Sequence, residues 1–192
     1  MILLLIAFVA QAQDELDPIR YSHRGYYNTT NFGLLIGSTK NENKAPFSFM
    51  MINGYGITDQ LAVGVGIGSE FMNESYLPLV LDVRYYLRKQ KFSPYVFVKG
   101  GYSIALDEET ENYHLYSYRS YWSGYDLLNP NGGFIFNPGV GIKYMFSNNF
   151  GLSFSIGYRH QRLNYDNPNM DDDRALEIDM NRLEIKAGIF FK

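Results

Sequence analysis

From residue 76 to residue 88 the chain reads YLPLVLDVRYYLR, and its side chains change character with a period of two. Leu77, Leu79, Leu81, Val83, Tyr85 and Leu87 share one face; Pro78, Val80, Asp82, Arg84, Tyr86 and Arg88 share the other. Successive side chains of a strand point to opposite faces, so the segment is an amphipathic strand. Its length narrows the choice further. A transmembrane strand needs about 9–11 residues, whereas an ordinary strand runs about 5–6.

The pattern recurs over 61–71, 134–146, 150–161 and 182–192, and less cleanly over 27–37, 46–56 and 94–104. That makes eight strands. One face is large and apolar; Phe32, Leu34 and Ile36, then Phe47, Phe49, Met51 and Tyr55, then Val96, Val98, Tyr102 and Ile104 mark it in the three weaker segments. The other face is Gly, Ser and isolated charges. A soluble sandwich would turn the large apolar face inward. Two features argue for the reverse. Small residues belong inside a narrow barrel, because Gly in an exposed strand interior only weakens it. Aromatics near the strand ends, such as Phe71, Tyr85, Tyr144 and Phe146, fit the girdles of a lipid belt. The predicted fold is therefore all-β: an eight-stranded antiparallel up-and-down transmembrane β-barrel behind an N-terminal signal peptide.

The connections alternate in length. Those near 56–60, 88–93 and 147–149 are short, and those near 38–45, 105–133 and 163–176 are longer, with 72–76 a short exception. Membrane barrels have short periplasmic turns and longer outer loops. This places both barrel termini in the periplasm and the 105–133 connection outside the cell.

Residues 1–10 read MILLLIAFVA, an apolar run too short to span a bilayer as a helix but right for a signal-peptide core. Ala10-Gln11-Ala12 is a small-x-small cleavage site. The expected division is a signal peptide at 1–12, an N-terminal periplasmic segment at 13–26 and a barrel at 27–192. The basic n-region of such leaders is missing, which points to Met1 being internal or the start codon misassigned. The chain has no Cys, so it carries no lipidated cysteine, disulfide or thiolate metal site. A net charge of -3 argues against nucleic-acid binding.

Gly56-Ile57-Thr58-Asp59-Gln60-Leu61-Ala62-Val63-Gly64-Val65-Gly66, then Leu79 to Arg88, Ser93-Pro94-Tyr95-Val96 and Asn137-Pro138-Gly139-Val140-Gly141 resemble small eight-stranded outer-membrane barrels of the OmpA/OmpX type. More narrowly, the chain resembles the porin-like "outer membrane protein beta-barrel domain" family over nearly all of its mature length. The resemblance implies the outer membrane of a Gram-negative bacterium, contact with outer-membrane lipid and handling by the barrel-assembly machinery. The ending Ile189-Phe190-Phe191-Lys192 is similar to the aromatic C-terminal assembly signal, although Lys192 follows Phe191. Phe191 is the expected lipid-facing residue of that signal.

An eight-stranded barrel is just wide enough for side chains to fill. The expected inward charges are Glu70, Asp82, Arg84, Lys99, Lys143, Arg159, Arg182, Glu184 and Lys186. Such charges must pair, which reads as a salt-bridge plug. The rival reading is a narrow path for small anions or other solutes, because Arg84, Lys99, Lys143 and Arg159 outnumber the acids. Catalysis is not expected. A lipid A deacylase resembles a His-x-Ser arrangement with an orienting acid, but His160-Gln161-Arg162 puts Arg where Ser would be required. His114 lies in a loop and His23 precedes the barrel. No cofactor is expected. The acidic run Asp166 to Asp173 lacks the spacing and central Gly of an EF-hand, so no metal site is assigned.

The long connection carries the chain's one Trp and a run of aromatics: Tyr113, Tyr116, Tyr118, Arg119, Tyr121, Trp122 and Tyr125. Tyr, Trp and Arg make binding hot spots, and unstructured loops of this length are usually functional. The same residues also suit an upper girdle. The expected role is structural or binding, through the outer loops 105–133 and 163–176. An envelope protein or a surface glycan is the expected partner, and a place as one subunit of an envelope complex fits the same reading.

Overall fold

In a computed structural model of the chain, the described residues are 22–37, 45–72, 75–106, 129–166 and 176–192. They form eight strands: β1 (Gly25–Ile36), β2 (Phe47–Gly56), β3 (Leu61–Phe71), β4 (Ser75–Tyr86), β5 (Phe92–Ala105), β6 (Asn129–Met145), β7 (Phe150–Asp166) and β8 (Leu176–Phe191). Each strand pairs antiparallel with the next, and β1 pairs with β8, so the sheet closes on itself. Closure removes every unpaired strand edge, the condition for a sheet in hydrocarbon.

The period of two resolves as two barrel faces. Leu81, Val65 and Val140 point outward and are 65%, 59% and 58% exposed. Their inward neighbours Val80 and Asp82 are buried. The outward apolar residues form a continuous belt, far more than a soluble monomer leaves uncovered. Toward the short-turn end the belt finishes in a chain of rings. Tyr144 meets Phe146 at 5.1 Å, Phe146 meets Phe150 at 5.9 Å, and Phe150 meets Phe191 at 5.5 Å between centroids.

Interior glycines are spacers for rings on the next strand. A Cβ on Gly141 would strike the Tyr95 ring, and one on Gly139 would strike the Phe97 ring. The large inward Tyr95 and Phe97 of β5 therefore lie against β6 because β6 is bare there.

Three strands outrun the sequence reading. β6 begins at Asn129 instead of 134, β7 continues to Asp166 instead of 161, and β8 begins at Leu176 instead of 182. The connections they bound shrink to 106–128 and 167–175. β1 also starts at Gly25, so the barrel begins two residues before the expected boundary at 27. The added residues include Asn131, Arg162, Asn164, Glu177 and Asp179. A strand rising past the apolar belt has polar surroundings on both faces, so its alternation fades while its hydrogen bonds continue.

Candidate functional site: a cation-rich lumen

Inward parity brings all nine expected charges to the lumen, and none is more than 5% exposed. Six are cations and three are carboxylates: Arg84, Lys99, Lys143, Arg159, Arg182 and Lys186 against Glu70, Asp82 and Glu184. Residues two apart on a strand share a face, which sets Arg182, Glu184 and Lys186 in one row of β8 and Asp82 beside Arg84 on β4.

The charges fall into two groups. The larger centres on Glu184. Lys99 Nζ donates to its Oε1 at 2.7 Å, Lys186 Nζ lies 3.0 Å from its Oε2, and Arg159 Nη1 lies 3.7 Å from the same oxygen. Arg159 also grips Glu70, with Nη1 and Nη2 each 2.7 Å from a carboxylate oxygen. Ser48 Oγ donates to Glu70 Oε1 at 3.3 Å, and Arg182 Nη1 donates to the Leu35 carbonyl at 3.2 Å. The fork of Arg159 thus ties β3, β7 and β8 across the barrel, with Lys99 adding β5. Lys99 stands opposite Asp82 in the β4–β5 register yet bonds Glu184, while Arg84 Nε pairs with Asp82 Oδ2.

Toward the short-turn end the cations meet rings as well as acids. The Arg84 guanidinium sits 5.5 Å from the Tyr27 centroid and 5.6 Å from that of Tyr95. Lys143 Nζ lies 4.2 Å from the Tyr86 centroid and 4.2 Å from that of Phe190. The expectation that each buried cation pairs with a carboxylate needs that correction at Lys143: two ring faces hold its ammonium. Tyr27 stacks on Phe190, and Tyr86 and Tyr95 are tilted against each other at 5.6 Å. The aromatic inward face was invisible to a rule of small residues inside.

His23 closes this end from below. Its ring stacks on Tyr86 at 4.0 Å, and its Nδ1 is 2.9 Å from the Asp59 carbonyl. Burial, then the nearby Lys143 ammonium, pushes its pKa down to about 3, so it stays neutral at physiological pH. Asp59, in the β2–β3 turn, gathers the chain ends. It accepts Ser22 Oγ at 2.9 Å and Lys89 Nζ at 3.2 Å, and Arg24 Nε lies 3.4 Å away. The Ser22 hydroxyl and then the Lys89 ammonium hold its carboxyl below the usual range. Lys192 Nζ donates to the Ser22 carbonyl at 2.6 Å. Gly56 makes room for this strap, since a Cβ there would fall on the His23 carbonyl oxygen. His23 precedes β1, as expected, yet it packs beneath the barrel, a tertiary contact that no local pattern marks.

At the other end Tyr76 and Leu163 form an apolar layer with Met72, Ala105, Ile178 and Met180. Outside the wall, His160 Nδ1 lies 2.9 Å from Asn181 Oδ1, and Arg162 Nε donates to Asp179 at 3.0 Å. His160 is thus oriented, but position 162 offers a guanidinium and no nucleophile. Phe191 is 48% exposed in the ring belt. The loop residues Tyr113, Tyr116, Tyr118, Arg119, Tyr121, Trp122 and Tyr125 lie outside the described residues, as do 1–12 and 167–173 of the acidic run.

Comparison with known proteins agrees with this architecture. The chain is similar in structure to Neisserial surface protein A, at a TM-score of 0.60 and 13% identity, over 88% of this chain and 97% of that one. It is similar to OprG from Pseudomonas aeruginosa, at a TM-score of 0.59 and 13% identity, over 90% and 98%. It is also similar to the outer membrane protein AlkL, at a TM-score of 0.56 and 14% identity, over 92% and 93%. Identities this low speak for the fold alone. No functionally curated protein is similar to it in sequence. The model of the outer membrane protein beta-barrel domain matches residues 1–180. Nearly the whole chain is covered by that match, and the protein belongs to the outer membrane protein beta-barrel domain family.

Proposed function

We propose that this protein is a non-conducting, non-catalytic barrel that acts by binding through its longer connections. The single observation that carries the reading is the occlusion of the lumen. Its nine charged residues are at most 5% exposed, with rings and His23 beneath them and an apolar layer above. A lumen packed in that way is a rigid core, and the variable parts of a rigid barrel are its connections. Residues 1–12 serve as the export signal and Phe191 as part of the assembly signal. The short turns and both barrel termini face the periplasm, so 107–128 and 167–175 face outward. The aromatic set Tyr113 to Tyr125 is the contact surface for an envelope protein or a surface glycan.

A mild-detergent pull-down of the tagged protein from its native outer membrane tests this. A stoichiometric partner is expected, lost when 107–128 is deleted while the heat-dependent gel shift of the folded barrel remains. A partner retained by the deleted form would move the contact elsewhere. The second reading, a narrow path for small anions, is favoured by the six cations set against three carboxylates.

A further inference from the structure

On the outward face, the residue nearest the short turns is aromatic on most strands: Tyr26 on β1, Tyr55 on β2, Tyr85 on β4, Tyr144 on β6, Phe150 on β7 and Phe191 on β8. Two outward positions further along each strand lie about 5 and 10 Å deeper, from a rise of about 3.4 Å per residue and a tilt of about 45°. That depth is inside the hydrocarbon. Val63 and Val65 occupy it on β3, Val83 and Leu81 on β4, and Leu152 and Phe154 on β7. The positions on β5, β6 and β8 are apolar too. β1 and β2 differ. They carry Asn28, Thr30 and Asn53 there, all half-buried.

These three side chains are one network. Asn28 stands directly opposite Asn53 in the β1–β2 register. Asn28 Nδ2 donates to Asn53 Oδ1 at 2.8 Å, Tyr26 Oη donates to the same oxygen at 2.6 Å, and Thr30 Oγ1 donates to Asn28 Oδ1 at 3.2 Å. Three donors converge on two oxygens. A carboxamide nitrogen carries two N–H groups, so Asn28 and Asn53 have donors that this network does not consume. Lipid tails offer them no acceptor, and each polar group left unmatched in hydrocarbon costs several kcal/mol.

We infer that the outward face of β1 and β2 is an interface for a second copy of this chain, with the Asn28–Asn53 amides meeting their own symmetry mates. A carboxamide is both donor and acceptor, so it is complementary to itself, as a two-fold interface requires. The patch is uncharged, which removes any basis for an ionic partner. Buried Asn pairs fix two-chain assemblies in coiled coils by the same logic. The proposal concerns the barrel wall and does not depend on what the outer connections bind.

The absence of native Cys makes the test direct. Asn53→Cys, and Tyr55→Cys as a variant that keeps both amides, are expected to form disulfide-linked homodimers in native outer-membrane vesicles under mild oxidation. Val140→Cys, on β6 across the barrel, is expected to stay monomeric. The double variant Asn28→Val/Asn53→Val is expected to migrate as a monomer in mild detergent while keeping the heat-dependent gel shift. Cross-linking at Asn53→Cys and Tyr55→Cys no greater than at Val140→Cys would overturn the proposal. So would disulfide adducts of those two variants with a different protein, or a wild-type chain that is monomeric in the vesicles.

Discussion

Glu184→Ala is expected to cost about 3–5 kcal/mol of folding stability, the usual loss when one partner of a buried ionic cluster is removed. The carboxylate of Glu184 faces Lys99 at 2.7 Å, Lys186 at 3.0 Å and Arg159 at 3.7 Å. Without it, Lys99 and Lys186 lose their bonded carboxylate, and Arg159 keeps Glu70. The two rows of the network are linked through one fork of Arg159, so the loss spreads from β8 to β3 and β7. Equilibrium urea unfolding in lipid vesicles, followed by the gel shift, measures it. Glu184→Leu combined with Lys186→Leu is expected to recover part of the loss, because one charge of each sign is then removed together. An unfolding midpoint unchanged by Glu184→Ala would mean that water reaches the site and that the lumen is not filled.

Leu81→Arg is expected to be nearly as damaging, for the opposite reason. Leu81 is 65% exposed at the middle of β4, where a soluble protein would accept Arg at almost no cost. On a lipid-facing wall, an Arg at the midplane costs about 2–4 kcal/mol, falling to about 0–1 near the interfaces. Ile57 is 53% exposed in the β2–β3 turn, beyond the ring girdle, and Ile57→Arg provides the comparison. The yield of folded barrel in vesicles is expected to fall steeply for Leu81→Arg and hardly for Ile57→Arg. Equal yields would place Leu81 in water.

All eight strands were readable from alternation because lipid outside and a narrow lumen inside impose opposite chemistry on adjacent residues. The signal weakened where one of those two pressures was absent. Arg162 and Asn164 on β7 and Asp179 on β8 rise past the belt, so the outward side no longer demands apolar residues. Segments 27–37 and 46–56 read poorly for a different reason. Asn28, Thr30 and Asn53 put polar groups on the outward face, and Tyr27 puts a ring on the inward one. The charges of the lumen were readable from parity, since a strand leaves them only two directions. Their partners were not. Lys99 bonds Glu184, 85 residues away, and not the Asp82 that its register sets opposite. The ring cradle of Lys143 and the docking of His23 under Tyr86 depend on closure of the barrel, which no local pattern encodes.

Single-channel recording of the purified barrel in a planar bilayer reads directly whether the side chains of the lumen close it. A folded, heat-modifiable protein is expected to insert and give no stable conductance steps, in anionic or cationic gradients alike. Reproducible steps with anion selectivity, abolished by changing Arg84 or Arg159, would contradict it and make the cation-rich interior a pore.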